Sequence, residues 1–86
     1  MASDMQKSIH TRQNRVLLHL LRQVRAEANL RQEDVAERLG KPQSFVSKYE
    51  SGERRLDILE LREVCAAVGI SLGDFSARLD VALLAR

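Results

Sequence analysis

The residues from Gln32 to Gly52, QEDVAERLGKPQSFVSKYESG, constrain this chain more than any other stretch. Small and apolar side chains fall here at fixed intervals. Counting Gln32 as one, Ala36 is fifth, Gly40 ninth, Val46 fifteenth and Tyr49 eighteenth. Gly40 permits a positive φ, so one helix can end there and the chain can bend sharply. Ala36 is small enough for a second helix to cross close to the first. Val35, Leu39, Val46 and Tyr49 recur at helical spacing and point inward, holding two short axes at a steep angle. The pattern predicts a helix-turn-helix: one helix from about Gln32 to Leu39 and the next from about Gln43 to Glu50.

At 86 residues the chain is expected to form one domain. Its single Pro and four Gly, set against many Ala, Leu, Glu and Arg, favour an all-α fold. Aromatic residues make up 3%, which leaves no material for a base-stacking platform and argues against single-strand recognition. Net charge is +2, unevenly spread. Residues 1–25 carry five Lys/Arg and one acid, residues 26–55 six of each, and residues 56–86 three bases and five acids. Gross charge therefore does not prove nucleic-acid binding; a basic surface must come from spatial arrangement. Cys65, the lone cysteine, cannot form an intramolecular disulfide. No apolar run approaches the roughly 18 residues of a membrane span, and no signal peptide is evident. A reducing, cytoplasmic setting is expected.

Residues 1–10 are polar without periodicity and are expected to form a flexible arm ahead of a domain over 11–86. Thr11 is positioned to cap a first helix with Arg12–Asn29 as its body. Val16, Leu17, Leu20, Leu21, Val24 and Ala28 form its apolar stripe. After a loop over Glu53–Leu56, a fourth helix spans about Asp57–Val68, stopped by Gly69, with Ile58, Leu61, Val64, Cys65 and Val68 as its core stripe. Ser71 caps a fifth, with Asp74 three residues on as a short form of the capping box. Leu72, Phe75, Leu79, Ala82 and Leu83 give that helix an inner face. Ala77, Val81 and Leu84 lie at i, i+4 and i+7 on its opposite side. A helix apolar on two sides needs cover on two sides, and a homodimer contact would supply it; the alternative is a frayed C-terminal tail with scattered apolar groups.

With Gln32, Ala36, Gly40, Val46, Glu50 and Gly52 in place, the chain resembles the Cro/C1-type (Xre) helix-turn-helix family, the fold of lambdoid phage repressors and many small bacterial regulators. The resemblance runs from about Leu21 to Leu79. It takes in LRQVRAEANLRQEDVAERLG, then QSFVSKYESGERRLD, then CAAVGISL. It implies an all-α, five-helix bundle of the lambda repressor-like DNA-binding type. It also implies a homodimer on a palindromic duplex operator, with the second helix of the motif in the major groove. On that reading Gln43, Ser44, Ser47 and Lys48 meet base edges. Gln43 is the foremost reader, since an amide can pair bidentately with adenine. Gln32, Arg31, Phe45, Ser51, Arg54 and Arg55 contact the DNA backbone, Phe45 being equally placed to lean on its neighbouring helix. Glu50 pairs with Arg25 as a structural ion pair. The family usually has Ser, Thr or Asn just before Gln32 and Gln43. Arg31 and Pro42 stand there instead and offer no capping oxygen. Arg31 then serves a phosphate, and Pro42 fits a first helical turn.

Other features read blandly. Arg12, Arg15 and Arg22 form a solvated face or, failing that, extend the phosphate footprint; His10 and His19 lie at the surface away from any metal spacing, and Cys65 packs as a small hydrophobe. No nucleophile–base pair or phosphate-cradling loop suggests an enzyme. No cofactor, metal, membrane or small-molecule ligand is expected. The rival reading is an antitoxin-like module whose main role is to bind a partner protein; the balanced charge of residues 26–55 is its support.

Overall fold

The structure is a computed structural model and describes residues 11–85. The arm expected over residues 1–10 lies outside the described residues. Five helices follow in order: α1 (Arg12–Glu27), α2 (Gln32–Leu39), α3 (Gln43–Ser51), α4 (Ile58–Ala67) and α5 (Leu72–Leu84). The described residues form no strand.

Local chemistry sets each boundary. Thr11 caps α1 by accepting from the Asn14 N–H. The helix ends at Glu27, two residues before the expected Asn29. Asn29 takes φ 58°, and its N–H and that of Leu30 turn back to the carbonyls of Ala26 and Arg25. That closure satisfies the last carbonyls of α1, and Asn tolerates the left-handed conformation better than other side-chain-bearing residues. Gly40, at φ 67°, closes α2 the same way, with the Lys41 N–H reaching the Ala36 carbonyl at 2.9 Å. Asp57 and Glu60 form a reciprocal capping box at the start of α4, a signature absent from the expectations above. At α5 only the forward half of the anticipated box forms: Ser71 Oγ accepts from the Asp74 N–H.

The inner faces meet as the spacing predicts. Val35, Val46 and Phe75 are wholly buried, joined by Leu20, Leu21, Val24, Ala36, Tyr49, Val64 and Cys65. Ala36 is 3% exposed, where α2 and α3 cross. Ile58 is the exception in the α4 stripe: it is 62% exposed, as is its neighbour Leu59 at 70%. The stripe is already complete at Leu61, Val64, Cys65 and Val68, and Ile58 sits on a first turn that nothing covers among the described residues. Burial pushes the Cys65 thiol upward, as fits an inert packed cysteine.

Arginines, rather than apolar groups alone, fasten helix to helix. Arg12 on α1 donates to the carbonyls of Leu83 and Ala85 at the end of α5. Arg22 donates to the Glu50 carbonyl near the end of α3, and Arg38 on α2 to the last carbonyl of α4, that of Ala67, at 2.7 Å. Each places a cation on carbonyls that carry the negative end of a helix dipole. Arg12 and Arg22 are exposed, as a solvated face requires, and each also makes a bond to another helix that its spacing did not reveal. Arg78 on α5 pairs with Glu27 on α1 through both guanidinium Nη atoms.

Candidate nucleic-acid interface

The α3 helix presents two unlike sides. Val46, Tyr49 and Glu50 face inward, and Glu50 is 2% exposed. Gln43, Ser44 and Lys48 are exposed on the other side, with Ser47 half-buried between them. The four residues expected to read bases thus share one outward strip of a nine-residue helix. Tyr49 anchors the inner side, and burial pushes its phenol well above the ordinary range.

A buried ion pair sets one edge of the strip. Arg25 donates to Glu50 through Nε at 2.7 Å and Nη2 at 2.9 Å, and through Nη1 to the Leu30 carbonyl at 3.1 Å. The Glu50 carboxylate raises the Arg25 guanidinium pKa above its ordinary value. Gln32 completes the shell, its Nε2 donating to Glu50 Oε1 at 3.0 Å, and Gln43 Nε2 donates to Gln32 Oε1 at 2.6 Å. The polarity of this chain is not arbitrary. An ionised carboxylate only accepts, so Gln32 must turn its amide nitrogen to Glu50 and its oxygen to Gln43. Gln43 must then donate, which leaves its own oxygen and its second amide hydrogen directed away. Those are the two groups that adenine N6–H and N7 require. Gln32 likewise keeps one amide hydrogen that these bonds do not use. Spacing alone did not reveal this link between the motif's first residue and its twelfth.

The opposite edge is built around Phe45. Its ring meets Tyr49 edge-on, with centroids 5.6 Å apart and planes at 74°. The Arg54 guanidinium lies 4.7 Å above its centroid and the Lys41 ammonium 5.6 Å away. Phe45 is half-buried among these groups, so part of its ring packs within the protein and part stays open to solvent. Arg54 also pairs with Glu60 at 2.8 Å. The guanidinium, with the Asp57 N–H, holds the Glu60 carboxyl at about 2.

The remaining expected backbone contacts divide. Arg55 is exposed, and the ion pairs among the described residues leave it and Lys48 out. Ser51 Oγ is occupied by the Lys48 carbonyl and accepts weakly from the Glu53 N–H. Arg31 stands at the N-cap of α2 without capping it. Its N–H and guanidinium both go to Asp34, whose carboxyl they hold below its ordinary value. Pro42 occupies the N-cap of α3, one place before the first turn expected of it. Neither α2 nor α3 carries a side-chain cap on its first-turn amides.

Residues 21–75 match the helix-turn-helix family. The chain is also similar to a solved structure, an XRE-family like protein from Pseudomonas syringae pv. tomato str. DC3000. The two are 40% identical with a TM-score of 0.79, over 91% of this chain and 95% of that one. The chain belongs to the Cro/C1-type, or Xre, helix-turn-helix family. No curated protein matches it. The Xre family is a family of DNA-binding regulators. No helix among the described residues is long and apolar enough to cross a membrane.

Proposed function

We propose that this Xre protein is a transcriptional regulator that binds a palindromic duplex operator as a homodimer, with α3 of each copy in the major groove. The observation that carries the reading is the outward strip of Gln43, Ser44, Ser47 and Lys48 on a helix whose other side is buried. Gln43 reads adenine with the two groups that Gln32 leaves it. Ser44 and Ser47 bond base edges or nearby phosphates, and Lys48 reaches guanine or the backbone. Gln32, Lys41 and Arg55 supply phosphate contacts that set the register. Two copies of α3 in successive grooves stand about 34–36 Å apart. The α5 residues Ala77, Val81 and Leu84 are all exposed and supply the dimer contact. Selection of bound duplexes from a random pool tests this. A recovered two-fold symmetric site supports the reading, and a pool that stays random at moderate salt overturns it.

A second reading, an antitoxin-like module that captures a partner protein, has one observation in its favour. Arg31, Arg54 and Arg78 each spend their charge on an acid of the same chain, which thins the basic surface. Co-purification of a partner encoded beside it, without duplex binding, would favour this reading over the first.

A further inference from the structure

Arg54 stands where a phosphate-binding side chain belongs, yet it is already engaged. The loop that carries it folds back on the recognition helix, its N–H donating to the Lys48 carbonyl at 3.1 Å. Its Nη1 donates to the Arg55 carbonyl at 3.0 Å and to Glu60 Oε1 at 3.2 Å, and its Nη2 to Glu60 Oε2 at 2.8 Å. Both Nη1 hydrogens are thereby used. One on Nη2 and that of Nε remain, a fork of the width a phosphate accepts. The Phe45 ring lies against the guanidinium face and keeps the group at the Phe45 edge of the outward strip.

Glu60 cannot follow Arg54 toward DNA. Its Oε1 also accepts the Asp57 N–H at 3.0 Å, as the return half of the α4 capping box. The carboxylate is thus pinned to a helix start, and any phosphate that meets the free fork of Arg54 also meets a fixed negative charge behind it. Arg54 and Glu60 are 42% and 28% exposed, so a phosphate can reach the pair without unfolding the loop.

We propose that Glu60 is an affinity-limiting residue: by pairing with Arg54 it holds a phosphate-binding cation in place and partly neutralised, so that the protein binds duplex DNA less tightly than its charged residues allow. The inference rests on the DNA-binding reading. It assigns to α4, outside the recognition motif, control over the strength of backbone attachment and none over the choice of bases.

Glu60→Gln is the direct test, because a Gln at this place of a capping box still accepts the Asp57 N–H. Affinity of the wild type, Glu60→Gln, Arg54→Gln and the double variant is measured against salt, on a duplex recovered by selection and on a mixed-sequence duplex. Glu60→Gln should bind more tightly on both duplexes, by the same factor. Its plot of log K against log salt should be steeper by up to about 0.9, one phosphate's worth of counterion release. In the Arg54→Gln background the same change should have a much smaller effect. Unchanged or weaker binding by Glu60→Gln overturns the proposal. An equal gain with and without Arg54 also overturns it, since it would mean simple removal of a repulsive charge. Should no duplex bind to any of the four proteins at low salt, the DNA-binding reading falls and the proposal with it.

Discussion

Gln43 shows how much of a side chain's work is settled by its neighbours. Exposed at the start of α3, it would be free to rotate if the Gln32 oxygen did not take one of its hydrogens at 2.6 Å. Gln43→Ala should cost about 1–3 kcal/mol of discrimination at one base position, with affinity for mixed sequence nearly unchanged. Binding measured across single-base variants of the selected site checks this, and unaltered selectivity would move the reading role to Ser44 or Lys48. The exposure of Gln43 was legible from its place in QSFVSKYESG, but the orientation of its amide was not. That orientation descends from Arg25 through Glu50 and Gln32, three residues that spacing alone does not connect. The cations above and beside the Phe45 ring were likewise not legible, since Lys41 and Arg54 reach it from outside its own helix.

At the scale of the helix, sequence reads ends well when a side chain makes the cap and poorly when the chain closes on itself. Thr11 and Ser71 are oxygen caps and were legible. The early end of α1 depends on Asn29 entering the left-handed region, which Asn does only in some contexts. The Asp57–Glu60 box was available to inspection, an acid three residues after another ahead of an apolar run. The joint between α1 and α3 is more demanding. Glu50 is buried with three donors on its carboxylate, and Arg25 supplies two of them. Arg25→Met leaves the carboxylate with Gln32 alone, and unfolding in urea should show a loss of about 3–5 kcal/mol. Replacing both partners, Arg25→Met with Glu50→Leu, should restore much of that loss, because no unpaired charge stays buried. A double variant no more stable than the single one would show that packing, and not charge burial, holds the joint.

Across the whole molecule, two properties follow from surface groups. Val81 and Leu84 are 70% and 82% exposed, so Val81→Asp removes little from a lone copy, within about 0.5 kcal/mol. In sedimentation it should shift the protein toward monomer and weaken operator binding together; an unaltered dimer would direct attention to Ile58, whose exposure the α4 pattern concealed, and to its exposed neighbour Leu59. Acid sensitivity is the second property. Glu27, Asp34 and Glu60 are each held below their ordinary values chiefly by an arginine, Glu60 at about 2 against 4.5. A lowered folded-state value means the unfolded chain takes up protons first as pH falls. The contribution of Glu60 is therefore complete above about pH 4.5 and is lost on the way down to about 2; those of Glu27 and Asp34 are lost in the same direction as pH falls. Melting temperature should be level near neutrality and drop over that interval, less steeply in Glu60→Gln. The bundle itself was readable because apolar stripes dictate which faces meet. The arginine clasps were not, since a guanidinium on a long stem can reach several partners and only the assembled fold selects one. Those clasps bear on portability. Because α1 grips the far ends of both α3 and α5, a fragment beginning at Gln32 would carry the reading element but lose the brace that aims it, and grafting α2 and α3 onto a foreign scaffold should transfer the amino acids without the specificity.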